Sequence, residues 1–161
     1  MFAWRLTRKA HADKPLDGEG ARRYGGRWNH PGTAVVYTSE SLSLAVLEYL
    51  VNLSIIDLPD DLVSIQFEFP ETLSRSEVRV KDLPATWRTY PAVEELKDIG
   101  DEWVRLTRTA ILVVPSAVIP NERNYVINAA HPESQEVVVI AAEPFTLDPR
   151  LYTIKTSTRK R

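Results

Sequence analysis

The alternation of apolar and polar side chains predicts several β-strands along this chain. The clearest covers residues 62–69, in which every second side chain is apolar. Residues 2–7 alternate in the same way and predict a short strand with one polar face. Continuous apolar runs predict buried strands, and these runs span residues 34–38, 110–114 and 136–140.

Two stretches carry the helical period instead. Residues 41–53 predict a helix that Ser39 or Ser41 can cap, and residues 91–107 place apolar side chains at helical spacing. Strands and helices mix without strict alternation, which is typical of the α+β class. We therefore expect one compact domain over residues 1–152, with a mixed, strongly twisted β core flanked by helices, and a basic tail over residues 153–161.

Composition excludes several kinds of chemistry. The 161 residues include no cysteine, so a disulfide, a thiolate metal site and a cysteine nucleophile are excluded. The three histidines are scattered along the chain, and we expect no metal site. No apolar run approaches the roughly 20 residues that a membrane-spanning helix needs, and the first residues lack the pattern of a signal peptide. The expectation is a cytoplasmic protein that does not enter membranes.

The net charge of −2 conceals a segregation of charges. Residues 1–30 carry a net charge of +4, residues 31–104 carry −9, and residues 105–161 carry +3. Such asymmetry predicts a surface for an anionic ligand built from the two ends, although chance and a basic tail would give the same numbers. The overall balance argues against direct binding of nucleic acid.

The densest chemical signal is the segment Tyr24–Asn29, which contains Gly25, Gly26 and Arg27. Adjacent glycines let backbone N–H groups converge on an anion, and the arginine adds a planar charged group that suits a phosphate. A glycine hairpin with an exposed arginine and a core tryptophan is the structural alternative.

Glu48 lies near the apolar stripe of the helix predicted over residues 41–53. A carboxylate in that position needs a partner, and it is a candidate general base or a group that stabilises a developing cation. The alternative is a glutamate at the edge of the stripe that reaches solvent.

Other polar residues carry weaker signals. Tyr37 lies near the end of a predicted strand, and Ser116 follows another. Asn124 and Asn128 flank a short apolar run, and His131 comes shortly after it. Each has a structural reading as well, as a core tyrosine, a turn serine or a loop histidine. Because no histidine is placed to activate Ser116, a Ser-His-Asp hydrolase is poorly supported.

Five short motifs, taken in order, resemble those of the RES-domain toxins. They are Gly-Gly-Arg-Trp-Asn at 25–29, Val-Val-Tyr-Thr-Ser at 35–39, Ser-Leu-Ala-Val-Leu-Glu at 43–48, Val-Pro-Ser at 114–116 and Asn-Tyr-Val-Ile-Asn at 124–128. The arginine, glutamate and serine that name this family would be Arg27, Glu48 and Ser116, and the resemblance covers about residues 2–152.

The resemblance implies a fold similar to that of the ADP-ribosyltransferases such as diphtheria toxin, with NAD as substrate and no prosthetic group. It also implies a helix-turn-helix, DNA-binding antitoxin that blocks the toxin site; a homodimer within a larger toxin–antitoxin assembly stays open. Glu48 would stabilise the oxocarbenium-like transition state as nicotinamide leaves.

The remaining candidates fit the rest of this substrate. Arg5, Gly26 and Arg27 would hold the diphosphate or the ribose hydroxyls, and Tyr37 would stack on the nicotinamide or fix its ribose. Ser116 and Asn128 would be additional polar contacts.

The acceptor of the ADP-ribosyl group remains open at the level of sequence. Water gives a glycohydrolase, phosphate gives a phosphorylase, and a protein side chain gives an ADP-ribosyltransferase. We place degradation of NAD first and protein modification second. The alternative that is not an enzyme is a non-catalytic module that binds an acidic partner. The carboxylate of Glu48 argues against it.

Overall fold

The computed structural model describes residues 1–53 and 59–152, so the predicted tail over residues 153–161 lies outside the described residues. Three α-helices are present in the described part: α1 (Glu19–Tyr24), α2 (Leu42–Leu50) and α3 (Glu94–Leu106). The strands of the same part are β1 (Phe2–Arg8), β2 (Val35–Ser39), β3 (Leu62–Glu68), β4 (Arg75–Glu77), β5 (Ile111–Pro115), β6 (Arg123–Asn128) and β7 (Val138–Phe145). None of the helices in these residues is long and apolar enough to cross a bilayer.

The strands form one mixed sheet in the order β4-β5-β6-β2-β1-β3-β7, in which only β4 and β5 run parallel. The α+β class and the mixed sheet are therefore confirmed. Pairing is extensive everywhere except between β1 and β2, which share the single pair Trp4–Ser39. Because two neighbouring strands that pair at one residue must diverge on either side of it, the sheet opens at this position.

Two of the three apolar clusters in the described residues lie on opposite faces of the sheet. One contains Phe67, Phe69 and Ile127, and the other joins α3 to the sheet through Leu96, Trp103 and neighbouring side chains. The second cluster includes Trp28, whose carbonyl oxygen would lie 1.8 Å from a Cβ atom on Gly100. A glycine in α3 is thus required for the helix to approach the loop that contains Trp28.

The predicted elements mostly match the observed ones. Helix α2 begins after Ser41, whose hydroxyl accepts a hydrogen bond from the backbone of Leu44, as expected of a capping serine. Helix α1, over Glu19–Tyr24, was not among the predicted elements. The strand predicted over residues 136–140 forms as β7 at the edge of the sheet and begins at Val138. Its first three side chains are exposed, so the expectation of a buried strand is wrong there.

Candidate active site

A cleft of about 900 Å³ opens where β1 and β2 diverge. Its walls come from β1, β2, the loop after α1, helix α2 and the segment between β4 and α3. This volume lies within the usual range for sites that bind small molecules and cofactors. The opening in the sheet, rather than any single loop, therefore creates the site.

The loop after α1 is organised around Asn29, which is fully buried. Its Nδ2 atom donates to three carbonyl oxygens, those of Ala21 (2.9 Å), His30 (2.9 Å) and Thr33 (3.1 Å). Its Oδ1 atom accepts a hydrogen bond of 2.7 Å from the hydroxyl of Tyr37. Asn29 belongs to the motif at residues 25–29, but its function in holding the loop follows only from these hydrogen bonds.

Tyr37 lines the cleft and is locked in place at its hydroxyl, which also accepts a hydrogen bond of 2.9 Å from the backbone N–H of Trp28. Burial raises the pKa of this phenol above its ordinary value, so the group stays neutral at physiological pH. The ring packs against the backbone of Gly26 so closely that a Cβ atom there would lie 2.6 Å from the hydroxyl oxygen. Glycine at position 26 is therefore a packing requirement.

The expectation that the N–H groups of Gly25 and Gly26 converge on an anion is wrong. The N–H of Gly25 donates to the carbonyl oxygen of Ala21 at 2.8 Å, and that of Gly26 donates to the carbonyl oxygen of Asn29 at 3.0 Å. Because both donors are used within the loop, the positive charge for an anionic ligand must come from side chains.

Two arginines predicted for the site line the cleft. The Nη1 atom of Arg27 donates to the carbonyl oxygens of Trp87 (2.8 Å) and Thr89 (3.2 Å), which fixes the guanidinium against the segment before α3. Arg5 is tied to the carbonyl oxygen of Pro15 at 2.8 Å. Burial lowers the pKa of both side chains from their ordinary value, opposed by Glu48 at Arg27 and by Asp17 at Arg5. Both remain cations at physiological pH because arginine begins far above it.

Glu48 lines the cleft from α2, and its Oε1 atom accepts two hydrogen bonds. One comes from the hydroxyl of Ser116 at 2.7 Å and the other from Nδ2 of Asn124 at 2.6 Å. Ser39 in turn donates to Oδ1 of Asn124 at 2.7 Å, which fixes the orientation of the amide. Both contacts fall on one oxygen, and within residues 1–53 and 59–152 no side-chain donor is hydrogen-bonded to Oε2. The carboxylate is thus oriented with one oxygen available to a ligand.

The structure brings five of the predicted site residues together along this cleft, namely Arg5, Gly26, Arg27, Tyr37 and Glu48. Ser116 is fully buried behind Glu48, and its oxygen also accepts from the N–H groups of Val118 and Ile119. It therefore supports the carboxylate instead of facing the cleft.

Asn128 is not brought to the cleft. It is fully buried at the far end of β6, opposite Val35, and its Oδ1 atom accepts from the N–H of Ala130. Asn124, at the near end of the same strand, is the asparagine that reaches Glu48. The predicted contact of Asn128 with the ligand is corrected accordingly.

The charge in the cleft is strongly unbalanced. Among its described lining residues, Arg5, Arg27, Arg88 and Lys97 are cations, whereas Glu48 is the one carboxylate. Such a lining attracts a polyanion and presents a single negative group to a cationic part of it. In the part of the chain that the structure describes, no group of three His, Cys, Asp or Glu side chains is arranged to hold a metal ion.

Comparison with known families and sequences agrees with these features. The family model described as the RES domain matches residues 2–148. The chain is 37% identical over 152 residues to a protein of Sphingobium sp. (strain YBL2) named Prs ADP-ribosylating toxin, covering 92% of this chain and 94% of that protein. It is also similar to proteins named Toxin Res from Yersinia enterocolitica and Pseudomonas putida. The Yersinia protein is 34% identical, covering 94% of this chain and 99% of that protein. The Pseudomonas protein is 37% identical, covering 94% of this chain and 100% of that protein.

A solved structure shares the fold. The crystal structure of the M. tuberculosis MbcT–MbcA toxin–antitoxin complex contains a chain that matches with a TM-score of 0.72, covering 94% of this chain and 86% of that chain. Sequence identity is 19%, so the likeness concerns the fold alone.

Proposed function

This chain belongs to the RES-domain family, as the toxin of a toxin–antitoxin system, and from that premise we propose that it binds NAD and cleaves its nicotinamide–ribose bond. Loss of NAD would then arrest growth. The observation that carries the proposal is the carboxylate of Glu48, held on one oxygen by Ser116 and Asn124 at the wall of a cationic cleft.

The charge pattern fits the parts of the substrate. NAD carries a diphosphate between its two nucleosides and a positive charge on its nicotinamide ring. Arg27 and Arg5 would contact the phosphates, since guanidinium groups match phosphate oxygens in charge and geometry. Glu48 would then lie beside the cationic end. The ring of Tyr37 would form a wall at the same end. Its hydroxyl is already hydrogen-bonded to Trp28 and Asn29 in the glycine loop, the segment of residues 25–30 that follows α1.

The reaction needs little from the protein beyond electrostatics. The bond from ribose C1′ to the nicotinamide nitrogen breaks, and its electron pair stays on that nitrogen, so nicotinamide leaves as a neutral base without a proton donor. Positive charge develops on C1′ and the ring oxygen of the ribose. A fixed carboxylate next to that charge stabilises the transition state more than the ground state, which is the requirement for catalysis. An acceptor oxygen then bonds to C1′ and releases its proton.

Transfer of ADP-ribose to a protein is the second candidate function. It is favoured by the printed name of the Sphingobium relative, an ADP-ribosylating toxin, at 37% identity. Both functions share the cleavage step and differ only in the acceptor. For either one, we infer that a helix-turn-helix antitoxin restrains the toxin by covering the cleft.

The test is incubation of the purified full chain with NAD in buffers with and without phosphate, followed by analysis of products. We expect nicotinamide together with ADP-ribose, or with ADP-ribose 1″-phosphate when phosphate is present. Labelled NAD with cell lysate detects a modified protein. If no nicotinamide is released in any of these mixtures, the catalytic proposal is wrong. A non-catalytic binding module then becomes the better hypothesis.

Glu48→Gln is the decisive variant, because it keeps the shape of the side chain and removes its charge. We expect a fall in kcat of at least about a hundredfold with NAD binding largely retained. Glu143→Gln is the matched control, since Glu143 is exposed on β7 and away from the cleft lining. Turnover of Glu48→Gln at the level of this control would contradict the assignment.

A further inference from the structure

Two tyrosines at the cleft are exposed to an unusual degree. Tyr24 is 83% exposed and Tyr90 is 85% exposed, more than any other large apolar or aromatic side chain of the described residues. Both line the same cleft as Arg27 and Glu48. Large aromatic rings gain free energy from burial, so two rings left in solvent at one site suggest a ligand with flat faces that covers them.

The two tyrosines are held in fixed positions relative to the cationic part of the cleft. Tyr24 ends α1, three residues before Arg27, and Tyr90 immediately follows Thr89. The guanidinium of Arg27 donates hydrogen bonds to the carbonyl oxygens of Trp87 and Thr89. These bonds connect the segment that contains Tyr90 to the loop that follows Tyr24.

The segment with Tyr90 has further anchors. Trp87 is buried in the cluster that joins α3 to the sheet, and Nε of Arg88 donates to the carbonyl oxygen of Ala117 at 3.0 Å. A backbone fastened at three successive residues, Trp87, Arg88 and Thr89, fixes the position from which Tyr90 extends. Ordering of Tyr90 on binding would therefore cost less than ordering of a side chain on an unfastened loop.

NAD carries a flat base at each end, and the proposed function already places one of them. The nicotinamide riboside must lie beside Glu48 for the cleavage step, and the diphosphate then lies at the arginines. The base at the opposite end of the dinucleotide is adenine, which is flat, uncharged and able to stack on aromatic rings.

We propose, on the basis of the proposed function, that Tyr24 and Tyr90 form the adenine-binding part of the cleft and stack on the base of NAD. The two rings hold the adenosine half of the substrate and do not take part in bond cleavage. They therefore determine specificity for a dinucleotide over a mononucleotide that has the same scissile bond.

The test compares NAD with nicotinamide mononucleotide, which has the scissile bond and no adenine. We expect Tyr24→Ala and Tyr90→Ala each to lower kcat/KM for NAD about tenfold, chiefly through KM, and to leave kcat/KM for the mononucleotide unchanged. Tyr24→Phe and Tyr90→Phe keep the ring and should behave like the wild type. Equal losses on the two substrates, or no loss on NAD, would overturn the proposal.

Calorimetric binding of ADP-ribose gives a readout that does not depend on turnover. We expect its Kd to rise about tenfold in each alanine variant and to stay unchanged in the phenylalanine variants. A wild-type chain that binds ADP-ribose but cleaves no NAD would refute the proposed function and leave the adenine site standing. Failure of the wild type to bind ADP-ribose, or an unchanged Kd for ADP-ribose in the alanine variants, would overturn the adenine site.

Discussion

Asn124 is the residue that shows most directly how the site is supported. Its amide donates to Oε1 of Glu48 at 2.6 Å, and its own Oδ1 accepts from Ser39 at 2.7 Å. Asn124→Ala removes a hydrogen bond to a carboxylate, which contributes about 1.5–3 kcal/mol. We expect kcat for NAD cleavage to fall about tenfold to a hundredfold with little change in KM, because the carboxylate loses its orientation while the cationic part of the cleft is intact.

Asn52→Ala is the control for this substitution. Asn52 also lines the cleft and bonds Glu48, but its amide donates to the backbone oxygen at 2.9 Å and does not touch the carboxylate. Its removal should leave kcat within about a factor of two, as expected for an exposed side chain. If both variants lost activity equally, the amide of Asn124 would have no special function in orienting Glu48.

The candidate site was predictable from sequence where a charged residue occupies a position whose neighbours are apolar. A glutamate beside an apolar stripe requires partners, and Glu48 has them in Ser116 and Asn124. The sequence could not identify the second partner, because Asn124 and Asn128 are four residues apart on one strand and point to the same face. Their difference lies in what each faces across the sheet, Ser39 in one case and Val35 in the other, and that depends on the register with β2.

At the level of elements, the strands with clean alternation or long apolar runs were predictable, whereas α1, β4 and β6, which lack such patterns, were not. Helix α1 contains a glycine and no apolar stripe, and Glu19 supports it through ion pairs with Arg22 and Arg23. Strand β6 has polar residues at both ends, which hide its short apolar centre. Strand β6 forms because it pairs with β2 on one side and with β5 on the other, and its local sequence does not predict that pairing.

The contact between the glycine loop and β2 leads to a prediction about stability. A Cβ atom on Gly26 would lie 2.6 Å from the hydroxyl of Tyr37 and 2.8 Å from two ring carbons, and the hydroxyl is held by Trp28 and Asn29. Gly26→Ala should therefore lower the free energy of unfolding by about 1–3 kcal/mol, because the ring cannot retreat without losing those hydrogen bonds. Denaturant titration measures this difference.

Gly20→Ala is the matched comparison, since a Cβ atom on Gly20 in α1 meets nothing within 4 Å. Alanine inside a helix should leave stability unchanged or raise it by about 0.5–1 kcal/mol. Equal stability of the Gly20→Ala and Gly26→Ala variants would show that Tyr37 does not pack against the loop in solution.

The charge segregation of the whole chain has a partial structural counterpart. Arg5 and Arg27 come from the basic first thirty residues and both reach the cleft, as that excess of charge suggested. However, Arg88 and Lys97 also line it, and they belong to the acidic middle of the sequence. The net charge of a segment therefore identified part of the anion-binding surface, whereas folding brought the remaining cations to it from a region of opposite net charge.

Global stability should depend on pH through His30, which fastens the glycine loop to α3. Its Nε2 and Nδ1 atoms lie 2.8 Å from carboxylate oxygens of Glu94 and Asp101, respectively. Only the imidazolium form can donate from both nitrogens. The hydrogen bond with Glu94, followed by that with Asp101, therefore raises the pKa of His30 above its ordinary 6.5. The bond with Lys97, followed by that with His30, lowers the pKa of Glu94.

The direction of the pH effect follows from these shifts. A raised pKa in the folded state means that His30 contributes its full stabilisation below about pH 6.5 and loses it as the pH rises through the folded-state value. The lowered pKa of Glu94 contributes stability that is lost only as the pH falls through that lowered value. We expect the difference in Tm between the wild type and His30→Gln to be largest from about pH 5 to 6.5 and to shrink toward alkaline pH. His11→Gln should show no such difference, because His11 is exposed and forms no ion pair within the described residues. A Tm difference for His30→Gln that stayed constant from about pH 5 up to alkaline pH would mean that the ion pairs with α3 do not form in solution.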